Sequence, residues 1–144
     1  MSQAAQRLRS YRDLLELADD ARGEVLAGEL IMVPSPTPAH QDAVGAVYAE
    51  LRGPFQRGRG GPGGWWLLPD VDVSFGPHDI VRPDVSGWRK LHVPDFPSQR
   101  PVAARPDWVC EGLSPSSAVI DQGSKKALYA RSGVPWYWIL DPQN

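Results

Sequence analysis

At 144 residues and 42% hydrophobic content, the chain is long enough for one domain with a buried core and too apolar to be disordered. A formal charge of −2 excludes a protein that coats nucleic acid by bulk attraction, but not an enzyme whose acids bind a metal. The single Cys110 excludes an internal disulfide framework. With no N-terminal apolar run of signal-peptide or membrane-span length, a cytoplasmic location is expected.

In chain order, Leu8, Tyr11, Leu14, Leu15 and Ala18 recur at helical spacing and predict a first helix over Ala4–Ala18. Glu24–Val33 reads as a hairpin or bent strand split at Ala27-Gly28. The segment SPTPAH breaks regular structure at Ser35–His40. A second helix follows over Ala39–Phe55, with Val44, Val47, Tyr48 and Leu51 on one face. Gln56–Gly64 is a Gly-rich loop. Trp65–Phe75 predicts a strand whose Asp70 and Asp72 face water, and Ile80–Trp88 a second one. Arg89–Pro106 carries four prolines and reads as a surface loop. Asp107–Leu113, apolar on both faces apart from Glu111, has the pattern of a central strand. A helix over Asp121–Ser132, with Asp121 as N-cap and Gly133 as stop, leads to a last strand over Pro135–Leu140. The alternation indicates an α/β or α+β fold around one mixed sheet. The tryptophans read mostly as core, with Trp65 and Trp66 at a loop edge.

Two carboxylates stand out. Asp84, after Pro83 in RPDV, and Glu111, in WVCEG, occupy apolar strand settings where an unpaired charge costs several kcal/mol of solvation. Val109 and Leu113 share the face of Glu111, while Trp108, Cys110 and Gly112 occupy the other. For Asp84 taken alone, a solvated strand-edge aspartate is the competing explanation. Lys125 lies in the first turn of its predicted helix, with Tyr129 one turn later on the same face; Lys126 reads as solvated. Two acids and a lysine are what metal-assisted phosphodiester cleavage needs. Carboxylates hold Mg²⁺, which keeps several waters, and a lysine orients the attacking water or neutralises the charge that develops. His78 and His92 lack ligand spacing, so zinc is not expected.

Four blocks in order, GELIMVPSPTPAH, RPDVSGW, WVCEGLSPSS and DQGSKKALYARSGVPWYWILDP, resemble the Uma family, bacterial proteins described as putative restriction endonucleases within the PD-(D/E)xK nuclease superfamily. The resemblance spans Glu24 to Pro142. It implies a restriction-endonuclease-like fold, a mixed β-sheet flanked by helices, in a single nuclease domain over 1–144. It also implies Mg²⁺-dependent (or Mn²⁺-dependent) hydrolysis of nucleic acid, DNA before RNA, with Asp84 and Glu111 as metal ligands and Lys125 as the catalytic lysine. In the wider superfamily that lysine lies two positions after the acid, where this chain has Leu113; the Uma-type proteins carry it in the following helix. Gly112 replaces a residue that is more often branched and apolar. Family members usually continue into further strands beyond the point matching Asn144, so a sheet truncated at its C-terminal end is expected. A homodimer is expected from the resemblance alone.

Further candidates are His40, for a substrate or nucleic-acid role, and Arg57 and Arg59 in the Gly-rich loop, as phosphate contacts. Glu29 is a candidate third carboxylate, with a surface glutamate as the plainer reading. The rival to an endonuclease is a catalytically silent relative that binds nucleic acid or a protein partner, which the acidic net charge favours.

Overall fold

The computed structural model describes residues 7–114 and 121–142. Its mixed α/β architecture bears out the expected class, but the described strands form two sheets instead of one. The first, fully antiparallel, has the order β2-β1-β5-β4, from β1 (Gly23–Leu26), β2 (Glu29–Met32), β4 (Val73–Ser74) and β5 (Ile80–Val81). The second has the order β3-β6-β7-β8, from β3 (Trp65–Pro69), β6 (Val85–Arg89), β7 (Trp108–Gly112) and β8 (Trp136–Leu140). It is mixed because β7 and β8 run parallel.

The split has local causes. The strand expected over Trp65–Phe75 breaks at Asp70, whose φ of 56° is left-handed and cannot continue a pleat. The strand expected over Ile80–Trp88 breaks at Arg82-Pro83-Asp84, because Pro83 has no N–H to give a ladder. Each long segment therefore serves one sheet and then the other, and Asp84 sits at the crossing and not within a strand.

Helix α1 is also shorter than expected, Tyr11–Leu15 within the described residues. Residues 7–10 lie ahead of it, where Asp13 accepts from the Ser10 N–H at 2.9 Å and pairs with Arg7 at 2.6 Å. The Arg7 guanidinium and the Ser10 amide hold the Asp13 carboxyl below the usual range. Helix α2 (Pro38–Leu51) starts with Thr37 as N-cap, its hydroxyl accepting from the His40 N–H, and Pro38 in the first turn. It ends in a π-helical turn over Arg52–Gln56 that contains Gly53-Pro54. Helix α3 (Lys126–Arg131) follows another π-helical turn, Asp121–Lys125, so Asp121 lies inside a turn and not ahead of a helix. The side chain of Asp121, and with it the capping role expected there, lies outside the described residues, as does the segment 115–120.

The second sheet is covered on both faces. Helix α2 lays Val44, Val47, Tyr48 and Leu51 over Leu67, Val85, Trp108 and Cys110. Against the opposite face pack Val81 and Leu26 of the first sheet with Leu128 and Tyr129 of α3, around Val109. The alternation read in β7 is thus real. A third cluster, Val73, Trp88 and Val102, closes one end under the Pro-rich loop. Trp136 and Trp138 on β8 are more exposed than Trp65 and Trp66, contrary to expectation. No described helix is long and apolar enough to cross a membrane.

Burial first, then the charges of Asp84 and Glu111, push the Cys110 thiol up to about 12. A thiolate-selective aromatic disulfide should therefore leave the native protein unlabelled at pH 8 and label it fully in denaturant. Fast labelling of the native state would show that the β7–α2 interface opens.

Candidate active site

The antiparallel register of β6 and β7 begins with Val85 opposite Cys110, and Asp84, just ahead of β6, reaches the amide of Gly112, the residue after Glu111. Both acids border one cavity of about 80 Å³, along with Glu24, His40, Arg22, Arg82 and Lys125. That volume holds a few waters or a hydrated cation.

Asp84 is held at both oxygens. Oδ2 accepts from the Gly112 N–H at 2.7 Å, and Oδ1 lies 3.0 Å from His40 Nε2. A carboxylate only accepts, so the His40 nitrogen facing it carries the proton and donates. His40 Nδ1, on the other side of the ring, is buried and has no partner among the described residues.

Glu111 is 4% exposed. Its Oε1 accepts from Tyr129 Oη at 2.7 Å and from Lys125 Nζ at 2.6 Å. Burial, followed by the charge of Glu111, keeps the Tyr129 phenol well above its ordinary pKa, so it stays a donor at any physiological pH. Lys125 is buried as deeply, and also reaches Glu24, 3.0 Å from its Oε2 and 3.2 Å from its Oε1. Glu24 Oε2 accepts the Arg82 N–H at 2.6 Å as well. Lys126 is exposed.

Glu24 is the residue that sequence reasoning missed. Its signal was the one used for Glu111: an acid inside an apolar strand, here Gly23–Leu26, buried at every position. Glu29, the candidate third carboxylate, is exposed on β2 and borders a different hollow with Arg7 and Arg9. Arg57 and Arg59 are exposed beyond the far end of α2, about 16 Å of helix from His40, and do not border the cavity.

Gly112 also finds its reason. A Cβ there would lie 3.0 Å from His40 Cε1, 3.1 Å from Nδ1 and 3.1 Å from Val44 Cγ2. The missing side chain lets the imidazole lie on the end of β7 and reach Asp84.

Among the described residues no three His, Cys, Asp or Glu side chains form a metal cage. Oxygen-only donors from Asp84 and Glu111 on a small cavity would nonetheless suit Mg²⁺ or Mn²⁺. Mg²⁺ takes one or two carboxylates and keeps its waters, whereas a structural zinc takes four N or S ligands.

The family described as putative restriction endonuclease, Uma2, matches residues 8–144. The chain belongs to the Uma2 family. No curated protein matches it. A crystal structure of a putative nuclease from Anabaena variabilis is similar in fold, with a TM-score of 0.74 at 19% identity, over 93% of this chain and 74% of that one. Leu113, two positions after Glu111, carries no charge; Lys125 Nζ, from the turn that enters α3, lies 2.6 Å from Glu111 Oε1.

Gly112→Val should cost about 1–3 kcal/mol by overpacking against His40 and Val44. In combination with His40→Ala the cost should shrink, as chemical denaturation of the two singles and the double would show. Additive losses would mean that the imidazole does not occupy this space.

Proposed function

We propose that this Uma2 protein is a divalent-metal-dependent endonuclease that hydrolyses phosphodiester bonds of nucleic acid, DNA in the first instance, with Mg²⁺ as cofactor and Mn²⁺ as a substitute. The observation that carries the reading is that Asp84 and Glu111 border one cavity, with Asp84 bonded to the amide of Gly112 next to Glu111 and Lys125 bonded to Glu111.

In this reading Asp84 and Glu111 hold the cation. When bound, the cation stabilises charge on the phosphate and lowers the pKa of the attacking water. His40 fixes the orientation of Asp84 through Nε2–H and so acts as a positioning residue. Tyr129 does the same for Glu111 from the opposite side. Lys125 brings a positive charge beside Glu111, where it orients the attacking water and offsets the negative charge that builds on the phosphate. Glu24 keeps Lys125 in place and, through the Arg82 amide, ties it to the turn that carries Asp84.

Supercoiled plasmid should be nicked in Mg²⁺ or Mn²⁺ and left intact in chelator. Glu111→Gln and Lys125→Ala should each slow nicking by about 100-fold or more, the scale of several kcal/mol removed from the transition state. A parent that cuts neither DNA nor RNA with any divalent metal, together with a higher melting temperature for Glu111→Gln, would favour the silent, binding-only relative.

A further inference from the structure

Arg22, just ahead of β1, and Arg82, between β5 and β6, both border the cavity that holds the two acids. Their guanidiniums converge on one oxygen of one carboxylate. Arg22 Nη2 lies 2.5 Å and Arg82 Nε 3.3 Å from Asp70 Oδ1. Asp70 holds this position in a left-handed conformation, with φ of 56°, which is unusual outside glycine and best tolerated by Asp and Asn. The three side chains stay open to water, at 25% for Arg22, 36% for Arg82 and 47% for Asp70. Arg22 Nε is buried and without a partner among the described residues.

As a stability device this cluster is poor. Ion pairs so exposed contribute little, and a left-handed non-glycine residue costs about as much as they return. As an anion site it makes sense: planar guanidinium forks aimed at one point match the oxygens of a phosphate. Charge favours occupancy only at the right moment. Of the charged groups that line the cavity, the carboxylates Glu24, Asp84 and Glu111 balance the cations Arg22, Arg82 and Lys125, and Asp70, outside it but against both arginines, adds one negative charge. A divalent cation on the acids reverses the sign and makes the rim attractive to phosphate.

We infer that Arg22 and Arg82 form a binding site for a backbone phosphodiester next to the one that is cut, with Asp70 as the internal anion that nucleic acid displaces. The inference rests on the nuclease reading and names the phosphate contacts it needs.

Binding can be separated from cleavage by fluorescence anisotropy in Ca²⁺ at low ionic strength, with a labelled DNA duplex and an RNA duplex of the same sequence. On whichever duplex the parent binds, Arg22→Ala and Arg82→Ala should each weaken affinity about tenfold. Each should also lower the slope of log affinity against log salt by about 1. Asp70→Asn keeps the left-handed backbone and removes the competing charge, so it should tighten binding about twofold to fivefold. Arg12→Ala, away from the cavity, should stay within about twofold of the parent. Unchanged affinity in both arginine variants, or an Asp70→Asn protein that binds no tighter than the parent, would overturn the phosphate site while leaving the nuclease reading standing. A parent that binds neither duplex would overturn both.

Discussion

A lysine ammonium taken out of water loses several kcal/mol of solvation, and the arrangement around Lys125 follows from that cost. Two glutamates answer it, Glu24 from the first sheet and Glu111 from the second, and Tyr129 takes a share of the oxygen that Lys125 holds. The contact therefore does more than bridge two residues. It joins β1, β7 and the turn into α3, elements that no backbone ladder connects among the described residues. Removing either carboxylate would leave a buried cation half-answered, so the packing of the two sheets depends on these four side chains.

The rest of the site grows from the crossing between the sheets. Pro83 ends the ladder of β5, and β6 restarts at Val85, which leaves Asp84 in the turn, where it accepts from the amide of Gly112 at the end of β7. The Glu24 carboxylate holds the Arg82 amide, so the turn bearing Asp84 is fixed from the first sheet. From the other side, the start of α2 brings His40 over the glycine at the end of β7. An acid that would be mobile on a free strand end is thereby held between an imidazole and a backbone amide.

Much of this was legible in the sequence, for a physical reason. Glu111 was visible because strand periodicity exposes a charge among apolar neighbours, and its face with Val109 was correctly read. Lys125 and Tyr129 were paired by helical spacing, although the turn before α3 is π-helical. The division into two sheets was not legible, because Trp65–Phe75 and Ile80–Trp88 each keep a β-rich pattern across the point where they change sheets. Only the left-handed Asp70 and the proline at 83 mark those points, and periodicity does not register either. Glu24 is hard to single out because β1 is only four residues long, too short for strand periodicity to set its acid apart. Arg22 and Arg82 meet Asp70 through tertiary contacts alone, whereas Arg57 and Arg59 drew attention by lying in a Gly-rich loop.

The central claim is that Asp84 and Glu111 are the two protein ligands of one divalent cation, with Lys125 beside it. Anomalous scattering from crystals grown in Mn²⁺ tests this directly, since it locates the ion without reference to activity. The account predicts one strong peak touching carboxylate oxygens of both Asp84 and Glu111 at about 2.0–2.2 Å, with water completing its shell. A cavity without a peak at saturating Mn²⁺, or a peak bound elsewhere while Asp84 keeps only His40 and Gly112, would contradict it.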